Sequence, residues 1–164
     1  MERVAKFYKV SKEQFLGDMA EERFFPTESA YENLELPKRA TKGSAGYDFY
    51  SPIKFILKPG QTIKIPTGIR CKMSQRYALF LLPRSGLGFK YKIFLCNTLG
   101  LVDSDYYESD NEGHIMIKLM NCGDTDLRIK EGDKICQGVF LLYGITMDDD
   151  CDGVRNGGFG STGK

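Results

Sequence analysis

Four stretches of this 164-residue chain gather side chains that could hold a phosphate or activate a water molecule. Gly100-Leu101-Val102-Asp103-Ser104-Asp105-Tyr106 sets two carboxylates and a tyrosine directly after an apolar run, where a carboxylate can take a proton from water. The stretch opens like a calcium loop. However, Tyr107 stands where the third ligand belongs and His114 where the closing glutamate would be, which excludes a calcium hand. Pro83-Arg84-Ser85-Gly86-Leu87-Gly88-Phe89-Lys90 combines two cations, a hydroxyl and two glycines. Arginine grips oxyanions through a planar fork and glycine lets backbone approach them closely, although an ordinary turn between strands has the same composition. Ala45-Gly46-Tyr47-Asp48 is a polar turn, uninformative by itself. Finally, Gly157-Gly158-Phe159-Gly160-Ser161-Thr162-Gly163-Lys164 satisfies both G-x-G-x-x-G and G-x-x-x-x-G-K. Both phosphate patterns need a helix after the glycines, and the sequence stops at Lys164. The expectation is an arm that closes over a phosphorylated ligand; a plain glycine-rich tail is the alternative.

The elements that must position these residues read as strands. Residues 4–10 alternate apolar and polar, and short apolar runs follow at 53–57, 63–65, 69–73, 77–82, 92–96, 115–120, 127–129 and 135–143. Turn signals between them, such as Lys58-Pro59-Gly60 and Glu131-Gly132-Asp133, recur about every ten residues, which predicts an all-β sandwich or barrel. One helix interrupts the pattern: Ser11-Lys12-Glu13-Gln14 reads as a capping box, with Phe15, Met19 and Phe24 on one face and Pro26 as the stop. The acidic residues 148–152 read as a solvated linker. No internal repeat is found.

Composition narrows the partners. Lys plus Arg number 23 against 22 Asp plus Glu, so no global field favours nucleic acid or an anionic membrane, and neither is expected as a partner. Five cysteines without C-x-x-C spacing argue against a disulfide framework or structural zinc and for the reducing cytoplasm. The single histidine, His114, cannot build a multi-histidine metal site, and no apolar run approaches a membrane span or a signal peptide.

Taken in order, the motifs resemble the trimeric dUTPases, the deoxyuridine triphosphate nucleotidohydrolases. All five motifs of that family are present: Ala45 to Phe49, Pro83 to Leu87, Gly100 to Tyr106, Gly132 to Gln137, and Arg155 to Gly163. The resemblance covers residues 36–164 and the first strand. It implies a jelly-roll-like β domain over residues 1–153, with a helical insertion at 11–33, and a flexible C-terminal arm over residues 154–164. It also implies a homotrimer whose active sites are shared between subunits. The implied reaction is Mg²⁺-dependent hydrolysis of dUTP to dUMP and pyrophosphate by attack of water on the α-phosphorus. Such an activity limits uracil incorporation into DNA and supplies dUMP for dTMP synthesis.

Roles follow residue by residue from the same resemblance. Asp103 matches the carboxylate that orients and deprotonates the attacking water, with turn capping as its structural alternative. Tyr106 matches the ring that packs on deoxyribose and excludes a 2′-hydroxyl. Asn97, with the backbone of Leu101, Val102 and a hairpin reaching Met116, matches the reader of uracil. Arg84, Ser85, Gly86 and Gln137 match phosphate contacts, as do Arg155, Gly160 and Ser161 on the arm, where Phe159 covers the base. Asp48 matches a residue on the metal side, acting through water, with Mg²⁺ itself mainly on the substrate phosphates and waters. His114, Lys90 and the cysteines are expected only to pack. Two departures stand out: residues 107–112 lengthen the third motif before Gly113, and Arg155 lies four residues before Phe159 instead of five. The helix at 11–24 has no counterpart in the minimal pattern, so the inserted segments leave room for a protein partner. The rival enzyme is a dCTP deaminase of the same fold, which would use a glutamate at the chemical step. The rival from another class is a regulatory nucleotide-binding switch.

Overall fold

The computed structural model describes residues 2–155; Phe159, Gly160 and Ser161, with the rest of residues 156–164, lie outside the described residues. The chain forms an all-β, jelly-roll-like domain organised by its longest strand, β12 (Lys134–Leu142). This strand pairs antiparallel with β3 (Tyr47–Tyr50) on one side and β7 (Tyr77–Leu82) on the other. β2 (Lys38–Arg39) and β9 (Gly100–Val102) form the edges of the resulting five-stranded sheet. A second sheet runs β5 (Thr62–Pro66), β10 (Met116–Asn121), β8 (Ile93–Leu95). Two antiparallel pairs complete the fold, β1 (Ala5–Lys9) with β6 (Ile69–Met73) and β4 (Phe55–Leu57) with β11 (Leu127–Ile129).

Alternation in the sequence explains which faces meet. In β10, Ile117, Leu119 and Asn121 point inward while Lys118 and Met120 point out, as period two requires. Ile117 and Leu119 join Phe49, Ile65, Leu79, Ile115 and Ile135 in one core between the sheets. Asn121 is buried without penalty: its amide donates to the carbonyls of Leu57 (2.8 Å) and Thr125 (2.9 Å) and its oxygen accepts from the Gly123 N–H (2.9 Å).

The expected N-terminal helix forms as α1 (Lys12–Glu21), ending before Pro26 with Arg23 in the left-handed region at φ 61°. Phe15 and Met19 are fully buried and anchor a second, smaller core with Val10, Ala30 and Ile53. Burying each of the two is worth about 1.5–3 kcal/mol. The capping box forms only in half. Ser11 Oγ accepts from the Gln14 N–H (3.1 Å), but the Gln14 side chain donates to Asp18 (2.9 Å) and leaves the reciprocal position to Glu112, far along the chain. A second helix, α2 (Ser85–Tyr91), occupies the stretch that reads equally as a simple turn. None of its residues is buried, so no apolar periodicity marks it in the sequence.

Asp18, on α1, faces His114 (2.5 Å). Burial pulls its pKa upward, but the hydrogen bonds from His114 and Gln14 outweigh this and hold it below the ordinary 3.8. A depressed carboxylate stabilises the fold above its unfolded pKa and loses that contribution as pH falls through the folded value. Asp18→Asn exchanges a charge-assisted bond for a neutral one, so it should cost about 1 kcal/mol near neutrality. Denaturant unfolding of both proteins should show that gap closing once the pH drops below 3.8. A gap that persists unchanged into acid would remove the carboxylate's charge as its source.

Candidate active site

The Asp103 stretch leaves the sheet at the end of edge strand β9, and residues Ser104–Glu108 turn at once into a 3-10 helix. Asp103 is the N-cap residue of that turn, yet its side chain makes no capping hydrogen bond. The carboxylate is therefore not consumed by the local fold. It meets the guanidinium of Arg155, whose Nε also donates to Asp105 Oδ1 (2.8 Å). Asp103 and Arg155 line one pocket together with Asn97, Leu101, Val102, Tyr106 and Met116. Leu101 and Asn97 are exposed, while Val102 and Tyr106 are buried. The Tyr106 hydroxyl donates to the His114 carbonyl (2.8 Å) and accepts from Asn111 Nδ2 (2.8 Å). Burial raises the pKa of this phenol against the opposing Asn111 bond, so it keeps its proton. Tyr106 thus belongs to the core and to the pocket wall at once.

The second cluster is built by register in the five-stranded sheet. Gln137 on β12 lies opposite Asp48 on β3 and opposite Leu82 at the end of β7, which brings the Arg84 turn alongside both. Asp48 is buried and holds two cations, Arg84 Nε on one oxygen (3.0 Å) and Lys134 Nζ on the other (2.8 Å). Gln137 Nε2 donates to the Pro83 carbonyl (3.1 Å). Gly46 packs directly against it: a Cβ there would lie 2.6 Å from Gln137 Oε1 and would push that amide aside. Arg84, Ser85, Asp48 and Gln137 line a shared cleft, and Ser85 and Gly86 are exposed at the first turn of α2. This arrangement suits an anion: Asp48 orients Arg84, and the two cations exceed its single charge.

One chain does not bring the two clusters together. The Asp103 pocket and the Arg84 cleft share no lining residue. Leu81 lines the first and Leu82 the second, and consecutive strand residues face opposite sides of a sheet. The structure also corrects the expected uracil hairpin. β9 pairs with β7, whereas β10, carrying Met116, pairs with β5 and β8, so the two segments belong to different sheets and face each other across the pocket. The residues added at 107–112 span that gap. Sequence reasoning noticed Asp105 in its D-x-D spacing but gave it no role, and it passed over Asn111, for which no local signal exists. No group of three or more His, Cys, Asp and Glu able to hold a metal occurs among the described residues. A Mg²⁺ ion that arrives on phosphate oxygens and water needs no such all-protein cage.

Comparison with known proteins identifies the family and the fold. Residues 32–163 match the family model described as dUTPase. The deoxyuridine 5'-triphosphate nucleotidohydrolase of Lactococcus lactis is 36% identical over 146 residues, covering 86% of this chain and 97% of the relative. That of Mannheimia succiniciproducens is 42% identical over 137 residues, covering 79% and 87%. Among solved structures, the dUTPase from Streptococcus mutans superposes with TM-score 0.66 at 28% identity, covering 85% of this chain and 97% of that one. A dUTPase from phage phi11 of S. aureus, described with a structural Mg(II) ion, shares the fold at TM-score 0.65 and 19% identity, covering 92% and 98%. No helix among the described residues is long and apolar enough to cross a membrane.

Proposed function

The chain belongs to the dUTPase family and is a dUTP diphosphatase that hydrolyses dUTP to dUMP; we propose that Asp103 activates the water for this reaction in sites shared between the subunits of a homotrimer. The observation that carries the reading is an uncapped Asp103 carboxylate on the wall of a pocket, while the Arg84 cleft lies elsewhere on the same chain. A second subunit can present its cleft to the first subunit's pocket, because a cyclic trimer repeats one heterologous contact.

In the assembled site, Asn97 and the backbone of Leu101, Val102 and Met116 would meet the uracil edge, and a cytosine edge would leave buried groups unpaired. Tyr106 packs on the deoxyribose. Arg84, the amides of Ser85 and Gly86, and Gln137 take the phosphates. Arg155 leaves Asp103 for phosphate as the arm, with Phe159, Gly160 and Ser161, closes over the nucleotide. Asp103 then accepts a proton from water as the water oxygen bonds to the α-phosphorus and the bridging oxygen departs with pyrophosphate. Asp48 would face Mg²⁺ only through water, and an ion carried on the triphosphate would supply charge neutralisation and alignment. The activity belongs in the cytoplasm, where it would limit uracil incorporation into DNA and furnish dUMP for dTMP synthesis.

Hydrolysis in ¹⁸O-labelled water tests the route. Attack at the α-phosphorus places the label in dUMP, and attack at the β-phosphorus would place it in pyrophosphate and refute the assignment. Running dCTP in parallel for ammonia release separates the deaminase chemistry.

A further inference from the structure

Helix α1 and residues 107–112 are far apart in sequence and meet in the structure. The backbone N–H and hydroxyl of Ser11, the cap of α1, both donate to the Glu112 carboxylate (2.7 and 2.6 Å). Further along α1, Asp18 meets the fully buried His114. His114 Nε2 accepts from the Gly68 N–H (2.6 Å), so its proton sits on Nδ1 and is donated to Asp18 (2.5 Å). Arg70 adds a donor to the Tyr107 carbonyl (2.5 Å). The added segment is therefore clamped at both ends. α1 precedes the stretch matched by the family model, residues 32–163, so this clamp lies partly outside the family's shared pattern.

The clamp bears on the pocket through Tyr106. The chain turns back at Gly113, where φ is 69° and a Cβ would lie 2.6 Å from the Tyr106 carbonyl oxygen, so only glycine fits. That turn places the His114 carbonyl and the Asn111 amide on the two sides of the Tyr106 hydroxyl. We propose that Asn111, held by the clamp of α1 and His114, is a positioning residue that fixes the Tyr106 ring and thereby sets discrimination between deoxyribose and ribose. The inference rests on the reading of Tyr106 as the ring against the sugar. A steric bar to a 2′-hydroxyl works only if the ring cannot retreat, and a phenol bonded both as donor and as acceptor is pinned at its far end.

The test compares kcat/KM for dUTP and UTP in the intact protein and in Asn111→Ala, Tyr106→Phe, their double variant and Tyr106→Ala. Asn111→Ala should lower the dUTP-over-UTP ratio about 3–10-fold, the scale of one hydrogen bond. Asn111→Asp keeps the acceptor that holds the Gly113 N–H (3.2 Å) but loses the donor to Tyr106, and should lower the ratio likewise. In the Tyr106→Phe background, which has no hydroxyl to hold, Asn111→Ala should have no further effect on the ratio. An unchanged ratio in Asn111→Ala overturns the proposal. So does an equal effect with and without the hydroxyl, which would mean that Asn111 acts only through the turn. Tyr106→Ala separates the two layers. If it lowers the ratio while Asn111→Ala does not, only the positioning role falls; if it leaves the ratio intact, the sugar reading of Tyr106 falls and takes the positioning role with it.

Discussion

Replacing Asp103 with asparagine should lower dUTP turnover about 10²–10⁴-fold while dUTP still binds, the usual cost of losing a positioned general base. The amide keeps the shape of the carboxylate but cannot take a proton from water. Because Asp103 makes no cap hydrogen bond to its own turn, the substitution removes little from the fold. It does weaken the hold on Arg155, which retains Asp105 as a partner. Affinity for a non-hydrolysable dUTP analogue, measured beside single-turnover hydrolysis, separates binding from chemistry. Near-normal turnover would show that another group activates the water.

Deleting residues 156–164 should leave a folded protein and reduce kcat on the order of 10²-fold or more, because the last contacts that position the triphosphate would be lost. Among the described residues the buried apolar core runs from Phe7 to Cys136. A thermal melt close to that of the full chain should therefore accompany the loss of activity. Full activity after deletion, or unfolding, would each contradict a closing arm.

Strand positions were legible wherever one face is buried and the other wet. Residues 69–73, 77–82 and 127–129 match β6, β7 and β11 at both ends, and the long run at 135–143 is shifted from β12 by one residue at each end. Alternation announces a strand but not its partner, which is why β9 and β10 read as one hairpin although they join different sheets. α2 escaped because Gly86 and Gly88 weaken its helix signal and it buries no face. At the site, Asp103, Tyr106 and Arg84 stood out through residue type and order. Asn111, Glu112 and His114 did not, since their partners Tyr106, Ser11 and Asp18 are settled by tertiary packing. The Ser11–Glu112 contact spans 101 residues, a distance over which a capping motif carries no local trace.

The separation of the Asp103 pocket from the Arg84 cleft makes subunit sharing the central claim, and mixed oligomers test it most directly. Asp103→Asn chains keep an intact cleft, and Arg84→Ala chains keep an intact pocket. Each variant alone should be nearly inactive. Coexpressed with different affinity tags and purified as mixed oligomers, they should regain dUTP hydrolysis below the wild-type level, because some sites would join the intact Asp103 of one chain to the intact Arg84 of another. Activity in the purified mixed oligomers no higher than that of the two variants alone would place Asp103 and Arg84 in the same chain's site and contradict the shared site.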